Sequence, residues 1–202
     1  MKKYIALFAI VVFGLLVFTA CGSSTVRGGE CLGNANDAVV DLDCREITIA
    51  MENAYLPFNY VVIETNNPEG WDYDVWDEIC ARLHCTPVYK EAAWDGMIQA
   101  VADGQFDAAA DGITITEDRA EIVDFSIGYI ALDQRLLVRI DETRISSIDD
   151  FVNDENLKLG TQVATTNFET AANILGEERI EGVQTFDFAV QALISGDVDG
   201  VI

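Results

Sequence analysis

The chain has 202 residues, 50% of them apolar, enough to bury a core and to form one or two domains. Lys and Arg number 12 against 35 Asp and Glu, a formal charge of −23, which argues against nucleic acid or anionic lipid as a partner. Most of those carboxylates are read as a solvated surface.

Residues 1–24, MKKYIALFAIVVFGLLVFTACGSS, open on two lysines and run through seventeen uncharged, mostly apolar residues to a Cys-Gly-Ser-Ser tract. That is the layout of a bacterial export signal. The small residues before Cys21 resemble a lipobox, where cleavage after residue 20 leaves an N-terminal cysteine to be acylated. The competing reading is an uncleaved membrane anchor, but the apolar run is at the short limit for a span. Either reading places the rest of the chain outside the cytoplasm. Without residues 1–20 the chain loses Lys2 and Lys3 and no acid, leaving 10 basic residues against 35 acidic ones. Residues 21–45, rich in Gly, Ser, Asn and Asp, read as a lipid-linked tether.

Four cysteines follow Cys21, and an oxidising exterior favours their pairing in one of three connectivities. Cys31 and Cys44 bracket a polar segment, while Cys80 and Cys85 bracket a helix end, so nearest-neighbour pairing is the simplest expectation. His84 beside Cys85 offers too few ligands for a metal site, and no metal or cofactor is expected.

From residue 46 the elements alternate. REITIAM and TPVYKE read as strands, with WDYDVWDEICARL between them as a helix whose Val75, Trp76, Ile79 and Leu83 share a face. WDGMIQAVADG is a second helix carrying Trp94, Met97, Ile98 and Val101 and stopping at Gly104, and FDAAA is a third strand. After DQRLLVRIDETR a similar series begins: SIDDFV, the strand LKLGTQ, the helix NFETAANILG, the strand EGVQTF, the helix DFAVQALISG and the strand DVDGVI. The alternation predicts an α/β fold with parallel neighbours. Two related lobes are expected, residues 46–139 and 140–202. Because the sequence stops on a strand, the second lobe is expected to be incomplete.

In open α/β sheets ligands sit beyond the carboxyl ends of the strands, and DGITITEDRAEIVDFS, residues 111–126, falls there after FDAAA. Arg119 has a planar guanidinium that can grip a carboxylate with two parallel hydrogen bonds. Thr114 offers a hydroxyl and an amide, and Gly112 a bare carbonyl. Acceptors and donors so divided suit a free amino acid. Thr165, Thr166 and Asn167 stand at a helix start, where open amides favour an anion. The plainer readings are a surface ion pair from Arg119 to Glu117, Glu121 or Asp124, and ordinary N-capping by the threonines.

These residues carry a resemblance. ENAYLPFNY, EGWDYDVWDEICARL and above all GITITEDRAEIVDFS resemble segments of the polar-amino-acid solute-binding proteins of bacterial ABC importers, solute-binding family 3. Trp71 and Tyr73 depart from the commoner residues of the family's Gly-aromatic-Asp-x-Asp helix. The resemblance implies a periplasmic-binding-protein-like (type II) clamp, monomeric, that closes on an amino acid and hands it to a membrane permease. Carried over by position, Arg119 and the amides of Thr114 and Thr166 would hold the α-carboxylate. The Gly112 carbonyl and Thr114 hydroxyl would take the ammonium, and Tyr55 and Trp94 would sandwich the side chain, unless those two aromatics are plain core. Glu52 and Asp111 fall on pocket loops and imply a polar ligand, with arginine or lysine leading and glutamine the neutral alternative. The family's second-lobe aspartate would fall shortly after DGVI, past Ile202. Two other readings share the fold: the sensing module of a receptor, and a dehydratase or lyase, for which no nucleophile–base pair is legible.

Overall fold

The computed structural model describes residues 27–202, so the export signal and Cys21 lie outside the described residues. Two three-stranded parallel sheets organise it. In the first, β1 (Glu46–Met51) runs between β5 (Thr86–Glu91) and β6 (Ala108–Ala109), with register Ile49 to Tyr89 on one side and Ile49 to Ala108 on the other. Ile49, Ala50 and Met51 are all fully buried, as a parallel strand covered on both faces requires. In the second, β7 (Leu159–Gln162) runs between β8 (Ile180–Val183) and β9 (Gly200–Val201). Both sheets place their first strand in the middle and the next two at its flanks, so the echo between the halves is one of topology.

Between β1 and β5, where the sequence pattern marks no strand, the chain forms a small antiparallel sheet: β2 (Ala54–Tyr55), β3 (Asn59–Val62) and β4 (Asn67–Glu69). It leads to Gly70, where an added Cβ would lie 2.2 Å from the Phe58 carbonyl oxygen, and then into α1 (Trp71–Leu83). The expected apolar stripe of α1 is only half-buried. Asp72, Tyr73 and Cys80 are the fully buried positions, because Tyr73 packs on Ile49 and Met51 and Cys80 is bonded to Cys85. Next come α2 (Met97–Ala102) and the single-turn α3 (Glu117–Ala120), and Trp94 lies ahead of α2 and not within it.

In the second half, α4 (Ile148–Asn153) starts at a Ser147 capping box and drops Phe151 into a core with Leu157, Leu159, Ala171 and Leu175. α5 (Thr166–Leu175) and α6 (Phe186–Ser195) complete the layer. The strand expected from EGVQTF is shifted to Ile180–Val183, and Phe186 opens α6. Leu137 pairs antiparallel with Val201, so contact with the second sheet begins a few residues ahead of position 140.

The tether reading of residues 21–45 does not hold for residues 27–45. The last carbonyls of a helix have no intrahelical donor, and the arm supplies some: Val39 N–H donates to Arg82 O, Leu42 to Leu83 O and Cys44 to His84 O, each at 2.9 Å. Leu32 adds a bond to Cys85 O at 2.9 Å and Gly29 one to Pro87 O at 2.7 Å. Arg27 pairs with Asp74 and Asp77 and lies 5.2 Å from the Tyr73 ring centroid. Cys31 is bonded to Cys44 and Cys80 to Cys85, with Cα separations of 5.2 and 4.6 Å. Among the described residues no helix is long and apolar enough to cross a membrane.

Phe151 has no exposed surface at the centre of the second core. Phe151→Ala is expected to destabilise the protein by about 3–5 kcal/mol, read as a lower urea midpoint, while leaving the disulfides intact.

Candidate functional site

The two sheets face each other across a cleft, and every residue expected to touch a ligand lines it. From the first half come Glu52, Tyr55, Trp94, Asp111, Gly112, Thr114 and Arg119; from the second come Thr165 and Thr166. Gln162 and Phe186 also line it, and the sequence reading missed both. Gln162 ends β7, where the carboxyl-end rule points. Phe186 opens an amphipathic helix, and nothing distinguishes it there from a core residue.

Arg119 is set by a single turn. Thr116 accepts its backbone N–H at 3.3 Å, and its guanidinium Nη1 donates to the Thr114 carbonyl at 3.0 Å. It lies 5.1 Å from the Trp94 ring centroid, and Nη2 reaches the Ala164 carbonyl at 3.4 Å. The surface ion pair to Glu117, Glu121 or Asp124 is absent among the described residues. Burial lowers the Arg119 pKa, with Glu169 opposing the shift, so the side chain is a partly desolvated cation without a contacting anion. Across the cleft Thr165 caps α5: its hydroxyl accepts from Phe168 N–H at 3.1 Å and donates to Gln162 O at 2.7 Å. That hydroxyl is therefore occupied, and the amides of Thr166 and Asn167 are the ones a helix start leaves open.

Gly112 has φ +54°, and an added Cβ would stand 2.8 Å from Tyr55 and 3.1 Å from Phe58. Only glycine fits beside those rings. Its amide lies near Asp72, the buried acid of the WDYD segment, and opposes the rise in pKa that burial gives that carboxyl. Asn59 joins the same network, donating to Asp72 at 2.9 Å and to Asp111 at 2.7 Å while accepting the Asn53 N–H at 2.7 Å. Asp111 is 4% exposed; burial raises its pKa to about 7 against the Asn59 hydrogen bond, with Glu52 and Asp72 adding repulsion. Burial also raises the Glu52 pKa, against a hydrogen bond accepted from Gln162 Nε2 at 2.7 Å.

Tyr55 stacks between Phe58 at 5.0 Å and Phe186 at 5.4 Å. Trp94 packs on Ala50 and Met97 and sends its indole N–H to the Ala164 carbonyl at 2.9 Å. Both aromatics therefore serve the packing and the cleft wall together. At the far end of α1, Cys31, Cys44 and His84 lie close to one another, but the two sulfurs are bonded to each other.

A family model described as bacterial extracellular solute-binding proteins, family 3, matches residues 47–174. The chain belongs to that family. Membership places it outside the cytoplasm. An L-cystine-binding protein of Bacillus subtilis (strain 168) is 29% identical over 201 residues, 98% of this chain and 71% of that one. A probable histidine-binding protein of Neisseria gonorrhoeae is 26% identical over 204 residues, 100% of this chain and 71% of that one. Among solved structures, an ancestral arginine-binding protein bound to glutamine superposes with a TM-score of 0.71 at 28% identity, covering 77% of this chain and 68% of that chain. An ancestral amino acid-binding protein, a precursor of cyclohexadienyl dehydratase, gives a TM-score of 0.73 at 29% identity, covering 77% and 68%.

The raised Asp111 pKa has a consequence for stability. Between the ordinary carboxylate range near pH 4 and about pH 7, the folded state holds a proton that the unfolded chain has released. Stability of the unliganded protein should therefore fall as pH rises through that window, by at most about 1.4 kcal/mol per pH unit from this group. Asp111→Asn cannot titrate and should flatten the profile and be the more stable protein at pH 8. Urea denaturation at a series of pH values checks this; parallel profiles would contradict it.

Proposed function

We propose that the cleft binds a free amino acid with a polar, preferably cationic, side chain and that the protein delivers it to an ABC importer. The observation that carries this is the division of charge in one cleft. Arg119, unpaired with any carboxylate among the described residues, reaches the Ala164 turn ahead of α5, and Glu52 and Asp111 line the same cleft. A zwitterion needs an anion site and a cation site a few ångströms apart, and a cationic side chain needs a second acid. In this reading Arg119 and the amides of Thr114 and Thr166 hold the α-carboxylate. The Gly112 carbonyl and Thr114 hydroxyl take the ammonium, and Tyr55 and Trp94, joined by Phe186, flank the side chain. Glu52 and Asp111 each accept one amide hydrogen bond, from Gln162 and Asn59, and a cationic side chain would offset the remaining cost of burying them as anions.

The similar structures support this substrate class, since one ancestral arginine-binding protein is described with glutamine and another with arginine. Anchoring by an acylated Cys21 belongs to the same reading and would keep the protein beside its permease. Cys21→Ser should then give unlipidated protein or uncleaved precursor, seen by detergent partitioning and N-terminal mass; an unchanged result removes the anchor.

A dehydratase reading has one observation in its favour, a buried acid whose pKa lies near neutrality, but binding needs no reacting bond and gives Arg119 and both acids a role. Mass spectrometry of amino acids recovered after incubation separates the two, because a binding protein returns its ligand intact.

Calorimetry against the twenty amino acids is the main test, with arginine, lysine or glutamine expected to bind more tightly than glutamate or leucine. Arg119→Ala should weaken the preferred ligand by about 2–5 kcal/mol, because it leaves a buried carboxylate half-satisfied. Arg119→Lys should recover only part, since an ammonium lacks the planar fork. A folded Arg119→Ala protein that binds within threefold of wild type would leave the arginine without this role.

A further inference from the structure

We propose that the Cys31–Cys44 bond is a redox-active disulfide, opened by thiolate attack on Cys31 with Cys44 leaving as a thiolate against the His84 ring. The chain carries two disulfides in very different surroundings. Cys80 and Cys85 are both fully buried, whereas Cys31 is exposed. Of the two sulfurs Cys44 Sγ makes the contact with an acid–base group, 3.2 Å from His84 Nε2, while Cys31 Sγ stays within 4.8 Å of the ring nitrogen. The other ring nitrogen, Nδ1, lies 2.8 Å from Asp41 Oδ1, and a carboxylate there can only accept, so Nδ1 carries the hydrogen. Asp41 thereby turns Nε2 toward the sulfur.

The backbone fixes Cys44 against this ring. Its N–H donates to the His84 carbonyl at 2.9 Å, and its own carbonyl accepts the Thr86 hydroxyl at 3.1 Å. The Cys44 main chain therefore stays in place when the bond opens, and Cys31 is open to an attacking thiol. A sulfur facing a positively charged imidazole is the better leaving group, because its thiolate is the more stable one. Attack is directed to the other sulfur.

The step balances with an external dithiol as the reductant. One thiol loses its proton to solvent and attacks Cys31 Sγ. The S–S bond breaks, and its electron pair stays on Cys44 Sγ, 3.2 Å from His84 Nε2, where the proton released to solvent is taken back up. The second thiol of the reductant then displaces Cys31 from the mixed disulfide. The dithiol leaves oxidised by two electrons, and Cys31 and Cys44 are left reduced. The arm that those cysteines close would then be held on α1 by its main-chain bonds, by Arg27 and by the Asp41–His84 contact.

The test uses the purified chain, with glutathione to trap the first step and dithiothreitol to complete it. Samples are quenched with iodoacetamide and mapped by mass spectrometry. Glutathione is expected on Cys31 and carbamidomethyl on Cys44, and dithiothreitol should open Cys31–Cys44 at least about tenfold faster than Cys80–Cys85. His84→Gln and, independently, Asp41→Asn should slow opening of Cys31–Cys44 and spread glutathione over both cysteines. The opening rate of Cys80–Cys85 in the same molecules reports whether the fold is intact, since a variant that unfolds speeds both. Glutathione found mainly on Cys44 of the wild type, or an intact His84→Gln protein with the wild-type rate and site, would overturn the proposal.

Discussion

The carbonyl of Ala164 joins the two halves of this molecule. It accepts the indole N–H of Trp94 at 2.9 Å and Nη2 of Arg119 at 3.4 Å, both from the opposite side of the cleft. Gln162, two residues earlier, reaches across to Glu52 at 2.7 Å. Ala164 holds a left-handed backbone with φ +57°, which costs a non-glycine residue roughly 1–2 kcal/mol. That turn aims the carbonyl at the first half and starts α5 at the next residues, so one strained position sets the cross-cleft bonds and the open amides together. The geometry of the cleft depends on it.

Charge inside the cleft follows rules different from those of the surface. A net charge of −23 repels anions at long range, but a zwitterion carries no net charge, and salt screens the overall field over about 8 Å. At contact, Arg119 is partly desolvated and stacked on Trp94, where a charge-assisted fork is at its strongest. The opposing acids are not loose surface groups. Asn59 divides its amide between Asp72 and Asp111, and the Gly112 amide lies near Asp72. Through Asn59 this ties the helix signature in α1 to the ligand loop at Asp111, next to Gly112.

The N-terminal arm shows a similar economy. Its composition is that of a linker, yet its amides complete the carbonyl end of α1, and Arg27 neutralises two acids on that helix. Polar, glycine-rich sequence is free to adopt whatever path satisfies the partner backbone, and here the partner is a helix end with unmet acceptors.

Local patterns were readable from the chain itself. The apolar runs of Glu46–Met51 and Thr86–Glu91 gave their strands, the 3.6-residue rhythm gave α1, α5 and α6, and the contiguous GITITEDR segment marked Arg119, Thr114 and Gly112 because hydroxyls, glycine and a lone arginine stand together within a few residues. Tertiary structure decided what depends on partners distant in sequence. Phe186 became a cleft wall only by meeting Tyr55, Gln162 by meeting Glu52, and Trp94 joined core and cleft by meeting Ala164. The buried face of α1 was set by Tyr73 and Cys80 rather than by its aliphatic stripe, because the floor it packs on is β1 and the disulfide. The physical reason is range: hydrophobic period and turn chemistry act over a few residues, whereas burial, pairing and pKa are properties of neighbours that the chain brings together only on folding.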